Sequence, residues 1–458
     1  MTKGSKTAPV FRARAERLAA GKALRERISR KSHGDWKPKR SRRDPVELLE
    51  ASNKGRLPQL TPIRYGRMLK SPFTFLRGSA ALMAFDLAGT PNTGIRVQAC
   101  GDCHLLNFGL FATPERHLVF DVNDFDETLP APWEWDLKRL VASVVVAARD
   151  DRLSDSKARD AVMSCVSGYR QHLAECSKMN PMQVWYQRLD VEALIANAPD
   201  AEAKRFRQQI AHEALERVIE HHYPKVTEKK DGHCRLVDHP PLLFHARERH
   251  WHEWLHEALV EYRRTLSDER RVLFDRYRFE DSALKVVGIG SVGTRCYIAL
   301  FFAEDNEPLV LQFKEARRSV LEPYVQKSKY ENQGERVVMG QRLMQSSSDI
   351  FLGWACGRRG FDFYVRQLRD MKMSIPIAGV SAVQLERYAE TCGWTLARAH
   401  AKSGDAATIS GYLGKNNAFD KAMAKFALAY ADQTEKDYAA LVKAVRAGRV
   451  KALVEEQQ

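Results

Sequence analysis

Two stretches carry residue types and spacings that chemistry could use. The first is Gly101-Asp102-Cys103-His104-Leu105-Leu106-Asn107, followed by Asp121-Val122-Asn123-Asp124-Phe125-Asp126-Glu127. An aspartate five residues before an asparagine supplies an acceptor for a hydroxyl proton and an amide oxygen for a hard cation. Carboxylates packed this densely would repel one another, which favours a cation among them. The second stretch is Gly288-Ile289-Gly290-Ser291-Val292-Gly293. Its alternating glycines let backbone N–H groups approach an anion. Lys314 follows on an apolar run, Leu309–Lys314, where a cation could meet phosphate. The plainer alternatives are a polar turn cluster capping its own backbone and a glycine-rich hairpin beside a solvated lysine.

The glycine run lies between two strand-like segments, not between a strand and a helix. The dinucleotide-binding context is therefore absent. A strand, glycine loop and strand followed by a lysine is how protein-kinase-like folds cover ATP. In that arrangement Asp102 is the base, and Asn107 with Asp124 holds magnesium. Asp121 and Asp126 are close rivals to Asp124. Gly288, Gly290, Ser291 and Gly293 cradle the phosphates, and Lys314 clamps them. Glu335 or Glu331 holds the lysine, Asp136 supports the loop from below, and Arg77 is a candidate anion contact.

Other motifs invite different chemistry. Cys100–His104 fits the C-x-x-C-H haem-attachment pattern, but haem attachment needs export, and no apolar signal core is present: Arg12, Arg14 and Arg17 interrupt the only candidate stretch. Cys100 and Cys103 also form a C-x-x-C redox pair without a thioredoxin-like βαβ pattern around it. His252-Glu253-Trp254-Leu255-His256 fits a zinc helix, with only Glu280 conceivable as a third ligand and a highly charged upstream flank. An amphipathic surface helix is the simpler reading.

The elements that must position these residues follow from pattern. Residues 11–31 suggest a short basic helix and 32–44 a linker, with Pro45 opening a helix. Residues 95–100 and Leu118–Phe120 read as a hairpin about a Thr113–Arg116 turn. Residues 136–280 look largely helical, broken at Asn180-Pro181, 197–200 and 231–241. Strands are expected at Cys296–Phe302 and Leu309–Lys314 around an Asp305-Asn306 turn, then a helix at about 328–345 and strands near 350–368. Helices resume from 382. The expected organisation is a basic arm and linker (1–43), a helical lobe bearing the acid loops (44–280), a β-rich lobe (281–375), and C-terminal helices packing on the helical lobe (376–458).

Composition bounds the rest. The 458 residues carry a formal charge of +15. Residues 1–43 hold 15 basic side chains against three acids, so the remainder is nearly neutral. A basic body for nucleic acid is thus not indicated, and the arm alone suggests an anionic partner such as RNA, a membrane surface or an acidic protein. No apolar run is long enough to span a membrane. An Arg-rich, acid-poor start could also mimic a mitochondrial transit peptide. Eight scattered cysteines suit a reduced, cytoplasmic chain. The first two dozen residues are expected to be a free tail.

Longer strings resemble a known family. Arg64–Met68, Ser71–Phe73, Arg77-Gly78, Gly101–Gly109, Phe120–Thr128, Trp133–Leu140, Gly288–Gly293, Leu311–Ala316, Arg336–Val338, Tyr364–Leu368 and Asp432–Thr434 look like the bacterial family called domain of unknown function 2252. That resemblance covers nearly all the chain from about residue 25. A second resemblance is to aminoglycoside-phosphotransferase-type kinases, carried by Gly101-Asp102 with Asn107, Asp124-Phe125-Asp126 and Asp136-Leu137. Cys100 stands where those kinases usually have histidine. Their order also differs, since the glycine-rich lobe comes first in them, and Gly393–His400 resembles the helix that normally precedes the catalytic loop. The resemblance implies an α+β, two-lobed, protein-kinase-like fold in circularly permuted order, with ATP and Mg2+ as cofactors. It implies a phosphotransferase acting on a small-molecule or protein hydroxyl, with a non-catalytic nucleotide sensor or scaffold, or a metal-dependent phosphoesterase using Asp102, His104 and Asn107, as alternatives. Lys314 and Asp124 should then lie within about 10 Å of each other.

Overall fold

A computed structural model describes residues 12–219, 223–225, 227–230, 233–245, 251–304, 307–357, 360–368 and 371–455, with the side chains of 225, 230 and 251–253 outside the description. The fold is mixed α/β, with a large helical body and smaller sheets. No helix among the described residues is long and apolar enough to cross a membrane.

The body is built around the helix Trp133–Asp150, whose residues 133–148 are all buried. A helix apolar on nearly every side must be enclosed on every side. Asp155–Cys176, Ala382–Ser403 and Ala418–Arg446 enclose it. Glycine lets two of these helices close up: a Cβ on Gly393 would lie 2.0 Å from the Cys165 carbonyl oxygen. Each buried Leu, Val or Phe in this core stabilises by roughly 1.5–3 kcal/mol relative to exposure.

The larger sheet has six antiparallel strands in the order Gly353–Cys356, Asp362–Gln367, Pro308–Ala316, Cys296–Phe302, Arg278–Lys285, Leu243–Phe244. The expected strands on either side of the glycine loop are therefore hydrogen-bonded neighbours. The Asp305-Asn306 turn lies outside the described residues. The helices Trp251–Thr265 and Asp268–Phe274 cover one face of this sheet, Leu255, Tyr262, Leu266 and Phe274 packing on Phe301, Leu311 and Phe313. They belong to the sheet, not to the helical body where the sequence reading had placed them. Periodicity reveals an apolar face but not what that face meets.

Two other expectations change. Residues 96–99 do not pair with 118–120; Arg96–Ala99 pairs with Leu129–Pro132. The hairpin is formed by Phe108–Ala112 and Leu118–Val122, with Met373–Ser374 added at its edge. All five residues of Phe108–Ala112 are buried, so that strand shows no alternation to read. The basic arm is also largely docked. Helix Arg14–Arg27 packs on Ala406–Leu413, where Arg25 donates to the carbonyls of Gly411 and Tyr412. A Cβ on Gly21 would lie 1.9 Å from the Thr408 carbonyl oxygen. The part of the expected tail before residue 12 lies outside the described residues.

Candidate active site where the sheet meets the helical body

The acid–amide loop is held from beneath. Asp136, in the first turn of the central helix, accepts from the backbone N–H of Cys100 at 2.6 Å and of Gly101 at 2.9 Å. His400 adds a contact from Nε2 at 3.2 Å, and its Nδ1 meets the Tyr169 hydroxyl at 2.9 Å. Gly101 turns the chain with φ of +85°, and a Cβ there would lie 2.3 Å from the Glu127 carbonyl oxygen. Only glycine fits this entry to Asp102.

Asp102 receives Arg139 Nε at 2.8 Å and Nη2 at 2.6 Å, both on Oδ1. Its Oδ2 is 4.0 Å from His104 Nε2. Burial pushes the carboxyl pKa up and Arg139 offsets only part of that rise. Burial, with Arg77 and Arg139 adding to it, holds His104 well below its ordinary pKa, so its ring is neutral. Asn107 is buried and donates from Nδ2 to the Asp102 carbonyl at 2.5 Å. The Asn107 carbonyl accepts the Asn123 N–H at 2.8 Å, tying the two acid segments together.

The three rival aspartates have different surroundings. Asp121 is fully buried, paired with Arg398, and accepts Ser346 N–H and O–H, each at 2.8 Å. Those partners mark it as a structural anchor. Asp124 is the most open, with its side chain 37% exposed. Asp126 is engaged across the site: Lys314 pairs with its Oδ2, Ser291 donates to Oδ2 at 3.1 Å, and Tyr364 donates to Oδ1 at 2.7 Å. Burial raises the Asp126 pKa, but the charge and hydrogen bond of Lys314 outweigh it and leave the carboxyl below its usual range.

Lys314 comes from the centre of the six-stranded sheet and is buried. Its Nζ lies 3.8 Å from Asp124 Oδ2, although the two residues are about 190 positions apart. Burial disfavours its charge; Asp124 and Asp126 overcome that and push its pKa well above normal. The glycine loop lies over the same point. Gly288 has φ of +63° with open space on its Cβ side. Arg67 donates to the Gly288 carbonyl at 2.5 Å and Arg56 to the Val292 carbonyl at 2.6 Å, fixing the loop to the body. A Cβ on Gly290 would lie 3.4 Å from the Arg77 carbonyl.

The glutamates expected to hold Lys314 do not meet it. Glu331 is exposed, and Glu335 is half-buried at a helix start capped by Asn332. Among the described residues the ion pairs of Lys314 are to Asp124 and Asp126. The same helix contributes Arg336 instead. Its guanidinium donates to the carbonyls of Thr128 at 2.6 Å, Asp126 at 2.8 Å and Arg317 at 2.7 Å. A helix on the sheet thus clamps the acid loop through backbone, which no charge pattern reveals.

Sequence reasoning also missed Arg139, Tyr364, Arg366 and Lys372. Arg139 lies one helical turn after Asp136, a spacing that could have flagged it. Lys372 donates to the Asn123 carbonyl at 2.9 Å, and burial, then the charge of Arg366, drives its pKa well below normal. Arg77 is half-buried, with Nε lacking a hydrogen-bond partner. Burial lowers its pKa against the opposing charges of Asp102 and Asp124.

The remaining motifs do not assemble. Cys100 and Cys103 are buried free thiols, and burial raises the Cys103 pKa well above normal. Such thiols are poor redox or haem-attachment sites. His256 is exposed on its helix, while the side chains of His252 and Glu253 lie outside the described residues. Among the described residues no group of three or more His, Cys, Asp or Glu side chains could hold a metal.

The fold and site define a mixed α/β protein in which a sheet lysine, a glycine loop and an acid–amide loop converge. The chain belongs to the family described as an uncharacterized protein conserved in bacteria, DUF2252, whose profile matches residues 56–444. No curated protein and no solved structure matches it.

Proposed function

We propose that the protein is an ATP- and Mg2+-dependent phosphotransferase acting on a small-molecule or protein hydroxyl, with a kinase-like site in circularly permuted order. One observation carries this reading. Lys314 of the sheet, Ser291 of the glycine loop and the Asp124–Asp126 segment meet at one point from remote parts of the sequence. A polar turn or a solvated lysine requires no such convergence.

The residues fit the cofactors by their donor chemistry. Asn107 and Asp124 offer an amide oxygen and an open carboxylate, enough for a cation that borrows phosphate ligands. Lys314 and the backbone of Gly288–Gly293 suit phosphate oxygens. Asp126, not Glu335 or Glu331, orients the lysine. Bound ATP would supply the phosphoryl group and Mg2+ would neutralise its charge. Asp102 would accept the acceptor's proton on Oδ2, as the acceptor oxygen bonds phosphorus and the bond to the departing diphosphate breaks.

A second reading is favoured by Arg139. A guanidinium holding Oδ1 opposes the rise in basicity that burial gives Asp102 and engages one of its two oxygens. That suits a nucleotide sensor with no turnover. Thermal shift with ATP and Mg2+, paired with a labelled-ATP screen of metabolite pools, separates the two. Transfer by the wild type, lost in Asp102→Ala, supports the enzyme. Stabilisation by ATP without transfer supports the sensor. Absence of any ATP-dependent shift refutes both.

A further inference from the structure

A cavity of about 250 Å3 lies away from this site, between the basic arm and the helical body. Residues 33–42 form one wall, the segment from Phe85 to Pro91 the other, and Tyr324 closes one side. None of the residues placed in the candidate active site lines it.

The cavity combines planar walls with unneutralised charge. Trp36 is braced edge-on against Tyr430 at 4.9 Å, and Phe85 meets Tyr324 edge-on at 6.3 Å. Arg42 is already satisfied, with Asp86 receiving Nε and Nη2 at 2.8 Å each and Asp437 receiving Nη1 at 2.8 Å and Nη2 at 2.6 Å. It therefore anchors the wall and is not free to bind. Lys37 and Lys39 are exposed at the rim, with no carboxylate in ion-pair range among the described residues. Asp35, the nearest acid in sequence, pairs with Lys425 at 2.6 Å. Behind the wall, Lys138 Nζ donates to the Pro91 carbonyl at 3.3 Å, adding a buried amine.

The inner end also has an unused polar atom. His33 is 1% exposed and its Nδ1 has no hydrogen-bond partner. Its Nε2 lies 2.7 Å from the Tyr412 hydroxyl, which also lies 3.1 Å from the Ile28 carbonyl. That unpartnered nitrogen belongs to a residue lining the cavity. Two free ammonium groups at the mouth suit a compact dianion, aromatic walls suit a flat ring, and the volume suits one ring.

We infer that this cavity binds a small aromatic phosphate, held by Lys37 and Lys39 through its phosphoryl oxygens with its ring between Trp36, Phe85 and Tyr324. Tyr324 also gives the site a physical link to the acid loop. Three residues before it, Ser319–Leu321 begins the turn in which Ser319 Oγ donates to the Glu127 carbonyl and Val320 N–H to Glu127 Oε2, each at 2.7 Å.

Isothermal titration of the full chain with phenyl phosphate, inorganic phosphate and phenol tests the assignment. Phenyl phosphate is expected to bind more tightly than either fragment. The exposed double variant Lys37→Glu/Lys39→Glu should weaken it by about tenfold or more. Lys314→Ala, which disables the candidate active site, should leave it unchanged. Absence of phenyl phosphate binding at millimolar concentration overturns the proposal, as does binding that survives the charge reversal or is lost in Lys314→Ala. Phosphate alone binding as tightly as phenyl phosphate overturns the role given to the aromatic walls. The Lys37/Lys39 and Lys314 variants separate failure of this site from failure of the phosphotransferase reading.

Discussion

Asp136→Asn tests how the loop bearing Asp102 is held. The wild-type carboxylate takes one backbone N–H on each oxygen, from Cys100 at 2.6 Å and Gly101 at 2.9 Å, with His400 alongside. Asparagine keeps one acceptor and presents an NH2 where the other stood. One buried N–H is then orphaned against a donor, costing about 1–3 kcal/mol. The surviving bond loses its charge assistance, about 1 kcal/mol more. The loop cannot easily turn away, because a left-handed Gly101 packed on Glu127 fixes its path. The expected loss is therefore roughly 2–4 kcal/mol of unfolding free energy, measured as a lowered urea midpoint at unchanged slope. Any phosphotransferase activity should fall too, since Asp102 is the next residue. A variant as stable as the wild type, with unaltered activity, would refute the claim that Asp136 supports this loop.

Four further outcomes are expected. Gly101→Ala should destabilise by several kcal/mol through both the strained backbone angle and the clash with Glu127, read by thermal denaturation. Arg336→Met should uncouple the sheet helix from the acid loop; faster hydrogen exchange at residues 126–128 and a loss of about 3 kcal/mol are expected, and unaltered exchange would contradict it. Burial lifts the Glu127 pKa from 4.5 to about 7, so the folded chain holds that proton more tightly than the unfolded chain. Stability should thus fall as pH climbs through that window, and Glu127→Gln should flatten the slope. Removing residues 12–27 should lower stability measurably in calorimetry, because Arg25 and Gly21 dock on the body.

Much of the site was legible because its chemistry is local. Asp102 with Asn107, the glycine run between two strands and the lysine on the next strand are short patterns, and each falls on the expected element. Asp136 was legible only through the resemblance, as the Asp-Leu pair a dozen residues after Asp124, and its partners, the N–H groups of Cys100 and Gly101, lie in a separate segment. The partners reached across the fold were not. Glu335 was chosen for Lys314 by analogy of spacing, yet Asp126 meets the lysine, while Arg336 on the same helix turns to backbone carbonyls. Arg139 carries the same lesson: its charge is visible in sequence, but its use on Asp102 Oδ1 depends on a helix passing under the loop.

The arm shows the same division. Sequence alone established that residues 1–43 concentrate the positive charge and that the rest is nearly neutral. It did not show that Arg25 and Arg42 are consumed by carbonyls and carboxylates of the body, or that Lys37 and Lys39 are left over beside a cavity. Residue types and short spacings determine which chemistry the chain can attempt, because hydrogen-bonding capacity and charge belong to each side chain. Which charges are neutralised, and which carboxylate meets the buried sheet lysine Lys314, depends on long-range packing, because those contacts join segments that no sequence period connects.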